Sequence, residues 1–139
     1  MPAFPQQERR RHRRMPAAEL TLEWRRRRGL FSRFHPAIGE DFTREGLSMV
    51  VEPDREPAPG DTLELRAALS MEAGQLDLEK ILAVVKNVRR ESGHCRVGLA
   101  FDFAANRTMR AESTVAQLAR IEGLLARSAK LRQRLLATP

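Results

Sequence analysis

Residues 19–24, Glu19-Leu20-Thr21-Leu22-Glu23-Trp24, alternate polar and apolar side chains. A period of two is the pattern of a half-buried strand, because successive side chains point to opposite faces of a sheet. Thr62-Leu63-Glu64-Leu65-Arg66-Ala67 alternates in the same way. Residues 47–51, 81–88 and 96–103 are apolar and rich in β-branched residues, and read as further strands. Turn signals stand between them: the arginines at 25–28 end the first strand and Gly29 marks a turn. Three prolines and a Gly-Asp pair fill residues 53–61, and Glu91-Ser92-Gly93 forms a hairpin turn. Residues 30–38 read either as a short irregular strand or as a long connection. Several short strands with no helix between them predict an antiparallel all-β barrel or sandwich.

Both ends differ from this pattern. Residues 1–15 hold two prolines, two glutamines and an arginine run, with too little apolar surface to pack, and read as a flexible arm. Near the other end Val115, Leu118, Ile121, Leu125, Leu131 and Leu135 recur at near-helical spacing with arginines between them. Thr114 and Gln117 have the spacing of a capping box, which predicts a helix beginning there. Gly123 weakens that helix by roughly 1 kcal/mol relative to alanine without forbidding it. The division is therefore an arm at 1–16, a β domain at 17–104, and a C-terminal helix and tail at 105–139.

Charge is concentrated in the arm. The net charge is +7, and residues 1–28 hold nine arginines against Glu8, Glu19 and Glu23. The remainder is nearly neutral, so an anionic partner is expected to dock at the N-terminal segment. Of the 25 basic residues only Lys80, Lys86 and Lys130 are lysine. Arginine forks suit bidentate phosphate recognition, although a bias in codon usage gives the same ratio. Cys95 is the only cysteine, so no disulfide forms within the chain. No apolar run approaches the roughly 20 residues that span a bilayer, and the N-terminus lacks a signal-peptide core. These features predict a cytoplasmic protein.

Two short motifs carry chemistry. Arg9-Arg10-Arg11-His12-Arg13-Arg14 supplies closely spaced guanidinium groups, and Asp41-Phe42-Thr43-Arg44-Glu45-Gly46 supplies a carboxylate, a hydroxyl and a glycine beside a strand. Arginine matches phosphate oxygens and the O6/N7 edge of guanine, while a carboxylate accepts from guanine N1–H and N2–H. The pair points to a ligand that holds both phosphate and a base. Taken singly, the first motif is also what a solvated basic arm looks like, and the second is also a plain turn with a local Asx bond.

In this order the motifs resemble those of the PilZ domain, a bacterial receptor module for cyclic di-GMP. The family's RRxxxR is matched by Arg9, Arg10 and Arg14. Its (D/N)xSxxG is matched by Asp41 through Gly46, with Thr43 where the family usually has serine. Val97-Gly98-Leu99-Ala100-Phe101 is similar to the family's late hydrophobic strand with small residues. The resemblance covers residues 8–104 and implies a six-stranded antiparallel β-barrel with the C-terminal helix as an addition. It also implies no catalysis, no cofactor, and signalling to a downstream protein partner. Arg10 and Arg14 would clamp phosphates and guanine edges, and Arg9 would add a cation or stack on a base. Asp41 would accept from a guanine, Thr43 would offer its hydroxyl, and Gly46 would relieve backbone crowding. An arm this rich in arginine suits a stacked pair of ligands.

Other features read as ordinary structure. Trp24 belongs to the core, and Cys95 begins a strand as a small buried side chain. Asp77 and Glu79 look like exposed surface, and the arginines at 25–28 extend the basic surface or simply end a strand. The three histidines are too far apart for a zinc site, and there is no P-loop, GxSxG or HExxH motif. Two alternatives stand beside the receptor. One is a PilZ-like adaptor that no longer binds nucleotide and works through protein contacts. The other is a nucleic-acid binder using the basic arm, which leaves Asp41 unexplained because a carboxylate repels phosphate.

Overall fold

The computed structural model describes residues 19–27 and 32–137, with side chains as far as residue 129. Six antiparallel strands close into a barrel: β1 (Glu19–Arg26), β2 (His35–Thr43), β3 (Gly46–Val51), β4 (Thr62–Met71), β5 (Gly74–Glu91) and β6 (His94–Phe101). Their order around the barrel is β1-β2-β3-β6-β5-β4, with β4 returning to β1. The β1–β2 seam is the shortest among the described residues, with only residues 22–24 pairing with residues 35–37. A 3₁₀ turn at Pro53–Arg55 lies in the connection from β3 to β4.

The alternation seen in the sequence decides which side chains fill the interior. Leu22 and Trp24 of β1, Leu63 and Leu65 of β4, and Val97 and Leu99 of β6 all point inward and are buried. Trp24 is fully buried, as its sequence context predicts, and its indole N–H has no hydrogen-bond partner among the described residues. Cys95 is buried at the start of β6, and burial pushes its thiol pKa up.

Three bulges interrupt the period. On β5, Leu65 of β4 faces Ile81 while Ala67 faces Leu78, so Glu79 and Lys80 together oppose Arg66. Lys80 takes up the extra residue with φ of 60°, in the left-handed region. On β2 the extra residue is Glu40, and a second bulge on β5 places Lys86. Several strands differ from their expected extents: β2 occupies His35–Thr43 rather than the candidate range 30–38, and β4 runs on past Ala67 to Met71. β1 runs on through Arg25 and Arg26, and β5 begins at Gly74, seven residues before the apolar run that marks it in the sequence.

The chain leaves β6 into a short helix α1 (Arg107–Arg110), then a long helix α2 (Glu112–Ala137). Asn106 caps α1, its side-chain oxygen accepting from Met109 N–H at 2.9 Å. The expected capping box at Thr114 does not form. Helix α2 already begins at Glu112, and the buried Thr114 hydroxyl donates instead to the Thr108 carbonyl at 2.6 Å, tying the two helices together. Leu118 and Ile121 are fully buried and join the barrel core, while Val115, expected on the apolar face, is exposed. Truncating either buried side chain to alanine costs about 2–5 kcal/mol, so the helix is part of the barrel's stability. No helix among the described residues is long and apolar enough to cross a membrane.

Candidate functional site

The outer face of β2, β3, β6 and β5 carries one cross-strand row that brings distant parts of the sequence together. Asp41 pairs with Ser48, Ser48 with Gly98, and Gly98 with Asn87. The next row toward the β2–β3 turn is Thr43, Gly46, Ala100 and Val84. Strands lie about 4.8 Å apart, so four strands make a face about 14 Å wide. Its middle is floored by small residues (Gly46, Ser48, Gly98 and Ala100), and its rims carry Asp41 on one side and Asn87 on the other. The bulges at Glu40 and Lys86 flank this same row on both sides. Bulges re-aim side chains, and here they set Asp41 and Asn87 on the outer face level with the floor.

Asp41 is exposed, and its Oδ2 accepts from the Ser48 hydroxyl at 3.3 Å. Its backbone N–H donates to that same Ser48 oxygen at 3.2 Å. Its other carboxylate oxygen has no hydrogen-bond partner among the described residues, which leaves an acceptor directed at solvent. Arg96 stands one row further along and is held by Glu40 in a two-point pair of 2.6 and 3.0 Å, with Glu91 at 3.2 Å. The hydrogen bond and charge of Glu40 raise the Arg96 guanidinium pKa still further.

Thr43 serves the turn. Its hydroxyl accepts from the N–H groups of Glu45 and Gly46 at 3.1 and 3.2 Å, and lies 3.3 Å from the Gly46 carbonyl. Gly46 lies where β3 crosses close to β6: a Cβ there would stand 2.1 Å from the Leu99 carbonyl oxygen. The glycine is thus required by strand packing before any ligand is considered. Gly98 is different, since the three atoms nearest its Cβ would all belong to the Asn87 side-chain amide, the closest being Oδ1 at 2.7 Å. Arg9, Arg10 and Arg14 lie outside the described residues. Ser48, Asn87 and Arg96 were not singled out in the sequence. The only signal there is an isolated amide, Asn87, at the end of the apolar run of β5.

The arginines at 25–28 divide. Arg25 pairs with Glu64 at 2.9 Å and its guanidinium lies 4.4 Å from the centre of the Phe34 ring. Arg66 covers the same ring at 4.0 Å and pairs with Glu23. Arg26 donates to the Glu56 carbonyl at 2.8 Å. Arg25 and Arg26 therefore hold the barrel surface together.

At the same end His35 lies against Trp24, with ring centres 5.2 Å apart, and its Nδ1 is 3.3 Å from Arg55 Nη1. Burial, then the charges of Arg55 and Arg26, lower its pKa. Below pH about 6.5 the unfolded chain protonates this histidine while the folded chain resists. The unfolded state then binds more protons, so stability falls as pH drops from about 6.5 toward the folded value. His35→Gln should flatten that part of a melting-temperature profile between pH 7.5 and 5. Identical profiles for the two proteins would contradict the assignment.

Among the described residues no group of three or more His, Cys, Asp or Glu side chains could hold a metal ion. A scan against protein-family models finds no match, and a search of curated proteins finds no significant relative.

Proposed function

We propose that this protein is a cytoplasmic, non-catalytic receptor for cyclic di-GMP, binding the ligand on the outer face of β2, β3 and β6. The observation that carries the reading is convergence. The motif at 41–46, the small residues Gly98 and Ala100, and the point where the arm enters the barrel all meet on one side. Gly39 of β2 approaches Leu20 of β1, with an ideal Cβ 3.4 Å from the Leu20 side chain. Leu20, one residue after the first described residue of β1, therefore lies beside Gly39 of β2. The tether from Glu19 spans at most about 17 Å to Arg14 and about 30 Å to Arg10, long enough for either to reach the floor.

In this reading the guanine lies against the small-residue floor, and the free Asp41 oxygen accepts from its N1–H and N2–H. Arg10 and Arg14 bind phosphate oxygens and the O6/N7 edge, and Arg9 stacks or adds charge. Thr43 acts by holding the turn, because its hydroxyl is already engaged there. Two arginine clamps and Asp41, at about 1.5–3 kcal/mol per charge-assisted bond, are sufficient for micromolar affinity. Ordering the arm on the ligand is the signal passed to a protein partner.

Asp41→Ala tests the acceptor. Asp41 is exposed and its only described side-chain partner is half-buried Ser48, so the unliganded melting temperature should barely move. Affinity for cyclic di-GMP, measured by titration calorimetry, should fall about 10- to 100-fold. Unchanged affinity would remove Asp41 from the site. The adaptor alternative draws on the engaged Thr43 hydroxyl and the core-packed helix, and it predicts no nucleotide binding in wild type or variant.

A further inference from the structure

Arg44 sits at the tip of the β2–β3 turn, between Thr43 and Glu45, inside the motif that closes the candidate site. One carboxylate on α2 holds it twice: the Arg44 backbone N–H donates to Glu122 Oε2 at 3.2 Å, and Nε donates to Oε1 at 2.8 Å. The two ends of this contact are unequal. Glu122 follows Ile121, which is fully buried in the core, and its side chain is 27% exposed, whereas that of Arg44 is 61% exposed. The helix is the fixed partner and the arginine is the one that is oriented. The two Nη groups, the outer fork of the guanidinium, have no hydrogen-bond partner among the described residues. That fork is the part of arginine that takes two phosphate oxygens at once. Neighbouring rows along a strand lie about 7 Å apart, within reach of an arginine side chain.

We propose that Arg44 is a further phosphate-binding residue of this face, positioned by Glu122, and that helix α2 thereby reads whether the face is occupied. The inference rests on the receptor reading. Glu122 is a positioning residue: its charge alone would repel a phosphate, so its removal would tighten binding if it did nothing else. Orientation has the opposite sign. Because coupling between two equilibria is reciprocal, a helix that helps the ligand bind is itself held more firmly when the ligand is bound.

The test is a double-mutant cycle read by calorimetric titration with cyclic di-GMP, together with hydrogen exchange of the full chain. Arg44→Ala should weaken binding about tenfold. Glu122→Ala should weaken it roughly two- to fivefold, and adding Glu122→Ala to Arg44→Ala should change nothing further. Ligand should slow amide exchange in residues 113–129 of the wild type but not of Arg44→Ala. Tighter binding by Glu122→Ala, or wild-type affinity in Arg44→Ala, overturns the inference while the receptor reading stands. Absence of binding by the wild type overturns both.

Discussion

Gly46→Ala should destabilise the unliganded protein by about 1–3 kcal/mol, whereas Gly98→Ala should leave its stability nearly unchanged. The two glycines lie two strand positions apart on the same floor, yet their surroundings differ in what can move. A methyl group on Gly46 meets the Leu99 carbonyl at 2.1 Å and the Ala100 Cα at 3.1 Å, both of them backbone. Relief requires β3 and β6 to separate, which strains the ladder on which Asp41 and Ser48 are aligned. A methyl group on Gly98 meets the end of the Asn87 side chain, which is exposed and can rotate away. The ligand measurements should run in the reverse sense. Gly98→Ala adds bulk to the centre of the floor in a folded protein, so lost binding there reports on contact. Loss of binding in Gly46→Ala reports on folding first. Thermal melts of the two variants check this, and equal melting temperatures would contradict the account of Gly46.

The barrel was legible where the period of two ran unbroken. Leu63 and Leu65, or Val97 and Leu99, announce an inner face by spacing alone, and those strands lie where the pattern puts them. The first half of β5 was not legible, because Glu79 and Lys80 both point outward between Leu78 and Ile81. One extra residue resets the alternation, and nothing in composition marks a bulge that lacks glycine. The β2 strand was obscured in the same way by Glu40, together with Pro36 and Gly39, which remove the usual strand composition. The helix start was misplaced because Thr114 has the right chemistry for a cap, but burial against α1 gives its hydroxyl a nearer acceptor in Thr108. In the candidate site, Asp41 and Gly46 could be named from the motif they resemble. Ser48, Asn87 and Arg96 could not, since only strand pairing across 50 residues of chain brings them into line.

Arg10→Ala and Arg14→Ala are expected to produce the largest loss of ligand affinity, more than about 100-fold each. Each arginine would meet the ligand through charge-assisted pairs, and a phosphodiester left without its counter-charge retains the cost of leaving water. The same substitutions should leave the unliganded melting temperature almost unchanged, since both replace charged side chains, whereas the described core of the barrel and α2 is built from apolar ones. That combination separates a ligand-binding arm from a structural one. It also separates specific recognition from nonspecific attraction. A basic arm acting only through its field would lose a fraction of its affinity with each charge removed, and would bind unrelated DNA with a steep dependence on salt. Normal binding of cyclic di-GMP by both variants would show that these arginines do not form the site.

The most direct measurement is calorimetric titration of the purified protein with cyclic di-GMP, using GTP and cyclic di-AMP as controls. The account predicts saturable binding at micromolar or lower concentration for cyclic di-GMP alone, with the stoichiometry distinguishing one ligand from a stacked pair. No heat, together with no rise in melting temperature at high ligand concentration, would contradict it, leaving a barrel that acts through protein contacts.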